Sequence, residues 1–319
     1  MKNLKSWVAG LALISLVPCY SVIAEDNWVD LYGKINLTLD SVDEGNGDDQ
    51  WEINSNASRF GVKGYGEAGE LEAFYQLEWE VDLSDNSKGS EDNIKSRNQV
   101  VGIRGGFGEI FAGRHDTPTK KLQKKIDIFG DLIGDIKYSF NGEKRANDII
   151  QYTTPPAKGF KAKLAFIPGE DTGSNDGLAD GISVAMEYKT GDLNVGISFD
   201  SDVESEGIDT SRLMAQYKLD DWQFGFIYQD TDNGDLSGDG FMLSGKYKTG
   251  NHSLKLQLIE SDAWEAAVSS KVKYTSQTSI GWDYKLGQKT TAFTYLTLSE
   301  EGITKDDDRT FGVGLIQKF

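Results

Sequence analysis

Four times in this chain a strand-like run ends in Tyr-Lys, and a tight turn and a second run follow at once. The four pairs are Tyr188-Lys189, Tyr217-Lys218, Tyr247-Lys248 and Tyr284-Lys285. The runs on either side alternate apolar and polar residues with a period of two, as in residues 182–189 and 193–200. This pattern predicts β-hairpins in which one face of every strand is apolar and the other is wet.

The two ends of these hairpins differ in composition. Aromatic residues and short turns recur at one end, whereas long loops rich in Gly and Asp recur at the other. A soluble sandwich has no need of this asymmetry, but a transmembrane barrel needs an aromatic girdle and short turns on one side and long loops on the other. Five aromatic residues are therefore interpreted as anchors at a membrane interface: Tyr188, Tyr217, Trp222, Tyr247 and Tyr284.

Alternation and turn residues predict sixteen strands. The runs are 28–42, 53–65, 70–83, 97–105, 108–115, 147–154, 159–168, 181–189, 192–202, 210–219, 222–231, 240–248, 252–261, 272–285, 290–299 and 309–319. About 10 residues at roughly 3.3 Å each, tilted by about 40°, rise roughly 25 Å, which is the height of the apolar band of an outer-membrane barrel. The sequence therefore predicts an all-β fold, a transmembrane antiparallel β-barrel around a water-filled lumen.

Residues 1–24 have the features of a secretory signal peptide, and residues 25–319 would form the barrel. Lys2 and Lys5 supply the charged start, and residues 7–17 the apolar core. The one cysteine, Cys19, lies in this segment, so the mature chain would have neither disulfides nor a thiolate nucleophile. Removing the two lysines from the formal net charge of −18 leaves −20, which argues against nucleic acid as a partner.

Alternation also assigns faces to the strands. Four side chains of the last strand are predicted to face lipid: Phe311, Val313, Leu315 and Phe319. In the first strand the apolar set is Leu31, Ile35, Leu37 and Leu39, and the lumen set is Asp30, Lys34, Asn36 and Asp40. Arg59 has the parity opposite to Phe60 and is predicted to face the lumen, since a charge at the lipid midplane costs about 2–4 kcal/mol. For Arg97 parity does not decide, because both Val100 and Val101 are apolar.

In their order along the chain, several motifs resemble those of the general diffusion porins of the Gram-negative outer membrane. They are residues 29–34, 58–64, 107–109 with 113–114, 145–152 with Pro155, and the last strand ending in Phe319. The resemblance spans the whole mature chain. It implies a homotrimer of sixteen-stranded barrels in the outer membrane, with the third long loop folded into the lumen as a constriction. It also implies that Phe319 is an assembly signal read by the outer-membrane assembly machinery.

The resemblance further implies which side chains form the constriction. The basic members on the wall would be Lys34, Arg59, Arg97 and Arg145. The acidic members on the inward loop would be Asp127, Asp131, Asp135 and Glu143. A narrow gap between the two signs carries a transverse field in which polar solutes align and which apolar solutes cross less readily. The family's Pro-Glu-Phe-Gly-Gly stretch corresponds here to residues 127–131, without the proline.

Other charged groups admit two interpretations each. The lysines of residues 120–125 are either a solvated face of a short helix or a patch that attracts phosphate or sulfate. The acidic runs 43–49 and 306–308 lack the spacing of a calcium loop and are interpreted as solvated acids, or as acids bridged by divalent cations to lipopolysaccharide. Arg114 is interpreted as structural. With two histidines, His115 and His252, and no mature cysteine, we expect no metal site and no cofactor.

The leading functional prediction is passive diffusion of small hydrophilic solutes and ions, with a weak cation preference caused by the acidic loops. The alternative is a solute-selective, anion-preferring outer-membrane channel, if the lysine cluster reaches the lumen. A remote alternative is an outer-membrane hydrolase, which needs a positioned Ser with a His base, and neither histidine has a convincing serine partner. A soluble secreted binding protein or propeller is a further alternative, and it would not require detergent.

Overall fold

The structure is a computed structural model, and it describes residues 28–45, 49–84, 93–123, 125–169, 177–263, 265, 272–302 and 307–319. Strands dominate it, in one antiparallel sheet. The strands are β1 Trp28–Asp43, β2 Asp49–Ser55, β3 Arg59–Ala68, β4 Leu71–Val81, β5 Ile94–Gly105, β6 Gly108–Asp116, β7 Arg145–Thr153, β8 Phe160–Ile167, β9 Gly181–Thr190, β10 Leu193–Ser201, β11 Asp209–Leu219, β12 Trp222–Asp232, β13 Ser237–Thr249, β14 His252–Ser261, β15 Tyr274–Lys285, β16 Thr290–Glu301 and β17 Asp307–Lys318. The helices are α1 Pro118–Leu122 and a 3-10 turn at Ile136–Tyr138.

The sheet closes into a barrel with sixteen strand positions, as the sequence predicts. The first strand β1 pairs with β17 and also with both β2 and β3, which are two halves of one strand interrupted at residues 56–58. At the interruption the Ser58 hydroxyl accepts a hydrogen bond from the backbone N–H of Asn36 at 2.9 Å and donates to its carbonyl. Most bounds lie within two residues of the predicted ones. The second strand is longer than predicted, from Asp49 to Ala68 rather than 53 to 65, and the strands predicted to begin at 97 and 240 begin at Ile94 and Ser237.

The two faces of the strands follow the predicted alternation. In β17, the side chains of Phe311, Val313 and Leu315 are exposed on the outer surface, and so is that of Phe319 just beyond the strand. In β1, Leu31 and Leu39 are exposed, whereas Asn36 and Asp40 are buried on the other face. A charge or amide facing lipid would be unfavourable, so the polar face of each strand points to the lumen.

Aromatic side chains collect at the short-turn end of the barrel. Trp222 lies with its ring centroid 4.6 Å from that of Tyr247, and Phe160 lies 4.5 Å from Tyr188. These pairs join neighbouring strands on the outer face, where aromatic side chains suit a membrane interface. Within the described ranges, no helix has the length and hydropathy needed to cross a membrane.

The third long connection, residues 117–144 between β6 and β7, packs against the inner, lumen-facing side of the sheet. We call it the inward segment. Four of its apolar side chains are fully buried in one cluster with five from the wall, namely Leu122, Ile126, Ile136 and Phe140 with Ala185, Met214, Ile227, Met242 and Ile259. Each of the Leu, Ile, Phe and Met side chains among them contributes about 1.5–3 kcal/mol on burial. The wall therefore carries an apolar stripe on its inner face that receives the segment.

Two wall glycines allow this close approach. A Cβ atom at Gly196 would lie 2.6 Å from Cδ1 of Leu122, and one at Gly225 would lie 2.6 Å from Cγ2 of Ile126. Any larger residue would push the segment off the stripe. The inward segment is thus fitted to this part of the wall and carries its charged tip, around Asp131, to the opposite side of the barrel.

Candidate functional site

The tip of the inward segment meets the wall at Lys34 and Arg59. Oδ2 of Asp131 lies 2.6 Å from Nζ of Lys34 and 3.8 Å from Nη1 of Arg59. The two bases are direct partners across the β1–β3 pair. Asp131 has a φ of 72°, a left-handed conformation that is uncommon for a residue other than glycine. Its backbone N–H donates to Oδ2 of Asp135 at 2.7 Å, which holds this conformation.

The charge of Asp131 is stabilised by these bases. Burial by itself would raise the pKa of its carboxyl group, but the nearby charges of Lys34 and Arg59 outweigh burial and hold the pKa below its usual range. Asp131 is therefore ionised at neutral pH, and its carboxylate neutralises part of the wall's positive charge where the segment and the wall meet.

Arg97 lies on the same side of the barrel and faces the lumen. Its Nε lies 2.7 Å from Oε1 of Glu78, and its Nη1 contacts Glu80. The β4–β5 register shifts between Leu77 and Trp79, and this irregularity reverses the alternation of β5. Parity alone therefore could not assign Arg97 from the sequence.

Arg145, at the return of the inward segment, pairs with groups at its departure. Its Nη2 lies 2.9 Å from Oδ1 of Asp116, and its Nε donates to Oδ1 of Asn98 at 2.9 Å. Lys120 approaches the same Asp116 carboxylate at 3.6 Å. Both ends of the segment thus share one carboxylate on the wall.

Asp127 turns its carboxylate into the inward segment. It accepts hydrogen bonds from the backbone N–H groups of Phe129 at 3.1 Å and Ile136 at 3.3 Å, and from the Gln257 amide on the wall at 3.2 Å. Burial raises the pKa of this carboxyl group well above its usual range, and the nearby Asp135 raises it further. The contacts of Asp127 therefore shape the segment and do not meet the predicted wall bases.

Asp135 and Glu143 also have partners other than the predicted wall bases. Asp135 caps the 3-10 turn and lies 3.4 Å from Nζ of Lys137. Glu143 lies 2.9 Å from Nη1 of Arg212. Burial raises the pKa of Glu143 to about 7, although the charge of Arg212 acts in the opposite direction. Among the described residues, Asp131 is thus the one acid of the predicted set that contacts predicted wall bases.

These charges surround one cavity of about 1320 Å³ inside the barrel. Seven of the eight side chains predicted for the constriction line this cavity. The eighth, Lys34, contacts Asp131, which is one of the lining residues. Nine acidic and seven basic residues line the cavity, so acids are in slight excess there. The arrangement is a polar passage with fixed charges of both signs.

Sequence reasoning missed several charged residues of this region, including Glu78, Glu80 and Arg212. A signal existed for each, because alternation with neighbours such as Leu77 and Leu213 places all three on the lumen face. The apolar stripe also had a signal, since Met214 and Ile227 stand at strand positions where polar residues are expected. Inner apolar positions of this kind indicate that something covers them.

The structure also locates several other residues named in the sequence analysis. Lys120 donates to the backbone oxygen of Glu143 at 2.9 Å, and Lys124 and the predicted signal peptide lie outside the described residues. Arg114 contacts Asn147. Among the residues that the structure describes, no group of three or more His, Cys, Asp or Glu side chains is arranged to hold a metal ion.

Comparison with known proteins shows one consistent family. A family model described as Gram-negative porin matches residues 9–303. Outer membrane porin protein 32 of Delftia acidovorans is 26% identical over an alignment of 312 residues that covers 89% of this chain and 86% of that protein.

Solved structures agree with this comparison. The anion-selective porin from Comamonas acidovorans has a TM-score of 0.72 at 20% identity, covering 92% of this chain and all of that one. OmpT of Vibrio cholerae in its trimer form has a TM-score of 0.61 at 16% identity, covering 92% of this chain and 99% of that one. At these identities the likeness to solved structures shows the fold.

Proposed function

Since the chain belongs to the family of Gram-negative porins, we propose that its inward segment and the wall bases Lys34 and Arg59 form the constriction of its channel. The protein is an outer-membrane channel for small solutes rather than an enzyme. Arg97 and Arg145 extend the basic side of the constriction, and Asp131 is its principal acid. Asp127, Asp135 and Glu143 act by shaping the segment that carries Asp131.

The contact between Asp131 and Lys34 carries this proposal. The inward segment packs against one side of the barrel and brings the ionised carboxylate of Asp131 within 2.6 Å of Nζ of Lys34 on the other side. The segment and the wall touch where these two groups meet, and the walls of low dielectric around the passage strengthen the field of the charges that line it. Small hydrated ions and polar solutes pass, whereas apolar solutes must displace oriented water.

The charge pattern supports a weak cation preference. Acids exceed bases around the cavity and in the chain as a whole. Long-range charge is screened beyond about 8 Å at physiological salt, so the excess of acids acts most strongly at low ionic strength. Cation preference therefore decreases as salt increases.

A second candidate is an anion-preferring channel. It is favoured by the contacts of the acids, because Asp127 is turned away from the predicted wall bases and Asp131 is neutralised by Lys34. Arg59 then lies 3.8 Å or more from its acidic partners, Asp131 and Glu78, and keeps more of its charge available to a passing anion. The anion-selective porin from Comamonas acidovorans is similar in fold and shows that this fold supports such a preference.

Reversal potentials in planar bilayers under a KCl gradient separate the two candidates. The parent is expected to prefer K⁺ at low salt and to lose most of that preference at high salt. Lys34→Met/Arg59→Met should raise cation preference and increase conductance. Lys246→Met removes a lumen charge that pairs only loosely with Asp283, at 4.0 Å, and should change the potential less. Anion preference in the parent at both salt concentrations would support the second candidate, and an unchanged double variant would exclude these bases from the constriction.

We also propose that the mature protein begins after residue 24 and assembles as a homotrimer that contacts lipid and lipopolysaccharide. The support is the apolar outer face, which one chain leaves exposed, and the trimer form of the similar OmpT. Unheated protein in detergent should migrate on a gel as an oligomer and heated protein as a monomer. A monomer that stays in solution without detergent would contradict the proposal.

A further inference from the structure

Arg212 lies in β11, on the wall where the inward segment is seated and away from the contact between Asp131 and Lys34. Its side chain is 0% exposed. A buried guanidinium must be paired and hydrogen-bonded to be tolerated. It donates to the Gln229 side chain at 2.8 Å, to the Thr119 carbonyl at 3.2 Å, to the Glu143 carboxylate at 2.9 Å and to the Asn141 carbonyl at 3.1 Å.

These acceptors belong to opposite ends of the inward segment. Thr119 lies where the chain leaves the wall, and Asn141 and Glu143 lie where it returns. One side chain therefore holds both ends of a long loop at one point. Gln229, from the neighbouring strand β12, fixes the orientation of Arg212 and donates to the same Asn141 carbonyl at 2.9 Å.

The backbone of the segment is shaped to fit this group. Gly142, between two of the acceptors, has a φ of +83°, and a Cβ atom there would lie 3.3 Å from Nη2 of Arg212. The planar guanidinium has five donors in a fixed fork, so it can bond several acceptors at once. A lysine ammonium is compact and could not reach all of these acceptors from one position.

From this geometry we infer that Arg212 is a positioning residue of the channel. It fixes the position of the inward segment against the wall and so determines the position of Asp131 relative to Lys34. This inference rests on the proposed function, in which the segment forms the constriction. Because Arg212 is fully enclosed, permeating ions do not touch it, and its influence on them is transmitted through the segment.

The barrel itself does not depend on this side chain. The backbone of Arg212 pairs with Gln229 and Ser198 through the regular registers of β11 with its two neighbours. Replacing the side chain should therefore leave the strands paired and loosen only the segment. Loss of the Arg212 side chain should change the current through the open channel more than it changes assembly of the barrel.

The first experiment compares Arg212→Met with the parent by single-channel recording. We expect a severalfold rise in the variance of the open-channel current and a higher mean conductance, because the segment moves between positions. Arg212→Met/Glu143→Gln is the second variant, since it removes both members of the buried Arg212–Glu143 ion pair. Lys246→Met is the matched control. It removes a wall charge that forms no hydrogen bond with the described residues of the segment, and its current should be as quiet as that of the parent.

A disulfide tether then tests whether the effect is one of position. A Cβ atom at Gly134, in the segment, would lie 3.2 Å from Cβ of Ser279 on the wall. Disulfides join Cβ atoms about 3.5–4.5 Å apart, so Gly134→Cys/Ser279→Cys needs only a small adjustment. The chain's own cysteine, Cys19, precedes the barrel. In the Arg212→Met background the oxidised tether should restore a quiet current, and reduction should abolish the rescue.

Parental current variance in both Arg212 variants would overturn the inference. A raised variance that the oxidised tether does not correct would overturn it as well, and so would loss of the assembled barrel in both variants. These failures are distinct from failure of the proposed function. If Lys34→Met/Arg59→Met changes selectivity while the Arg212 variants remain quiet, the constriction stands and only the role of Arg212 is rejected.

Discussion

Reciprocal backbone hydrogen bonds between Phe319 and Gly33 join the last strand of the barrel to the first. Gly33 donates to the Phe319 carbonyl at 3.3 Å, and Phe319 donates to the Gly33 carbonyl at 3.1 Å. The Phe319 ring covers Gly33 on the outer face, where a Cβ atom would collide with the ring and lie 2.6 Å from the Arg59 carbonyl oxygen. The C-terminal residue thus closes the seam between β1 and β17.

Gly33→Ala is expected to weaken this closure. Its methyl group must displace both an aromatic ring and a neighbouring backbone carbonyl, and overpacking of this kind costs about 1–3 kcal/mol. The temperature at which the folded form is lost on a gel should therefore fall. Gly245→Ala is the matched control, because a Cβ atom at Gly245 meets nothing within 4 Å. Equal behaviour of the two variants would show that the Phe319 ring simply moves aside.

Phe319→Ala is expected to lower the yield of protein in the outer membrane. The family resemblance implies that the terminal aromatic residue is an assembly signal, and the variant would lose that signal together with its contact with Gly33. The measurement is the amount of heat-modifiable protein in outer-membrane fractions. Leu315→Ala is the control, since Leu315 is 46% exposed on the same face and Phe319 is 47% exposed. A similar loss for both would mean that Phe319 acts only as an apolar contact.

Asp131→Asn is expected to reduce cation preference and to shift the reversal potential toward anions. The reason is that this carboxylate is ionised at neutral pH and lies 2.6 Å from the wall base Lys34. Its removal leaves Lys34 without this acidic partner and leaves Arg59 with Glu78, at 3.9 Å. The measurement is the reversal potential under a KCl gradient at low salt.

Asp127→Asn provides the isosteric comparison for Asp131→Asn. The Asp127 carboxylate is turned into the segment, so its neutralisation should change selectivity less. A raised pKa means that Asp127 is already closer to its neutral form. If Asp127→Asn shifts the potential as far as Asp131→Asn does, the contacts described above do not govern selectivity.

Glu143→Gln is expected to become more stable relative to the parent as pH rises. Below pH 4.5 the carboxyl group is protonated in both the folded and the unfolded chain. Between 4.5 and the folded pKa of about 7 the folded state binds more protons, so the parent loses stability with increasing pH. The variant lacks this loss, which amounts to at most about 3 kcal/mol.

Urea midpoints in detergent at pH 5 and pH 8 test this prediction. The difference between variant and parent should grow across the interval and level off above the folded pKa. A difference that shrinks with pH would mean that the ionised Glu143–Arg212 pair is net stabilising, because its charge interaction then exceeds the cost of burial.

Part of the candidate site could be predicted from sequence. Parity placed Lys34 and Arg59 in the lumen, and the family resemblance singled out the stretch that contains Asp131. The partners of Asp127 and Glu143 could not be predicted, because loop residues follow no period and their contacts depend on how the chain turns. Arg97 could not be assigned either, since the irregularity near Leu77 reverses the alternation of its strand.

The sequence by itself determined the barrel. Because polar and apolar residues alternate with a period of two, each strand has one orientation that keeps its polar side chains away from lipid. A slip of one residue in the pairing register would turn every side chain to the wrong face. Tertiary structure alone decided which charges meet. Lys34 and Asp131 are 97 residues apart along the chain, and their contact depends on where the apolar stripe and Arg212 seat the inward segment. No local pattern specifies such a distance, because it is set by packing between distant parts of the chain.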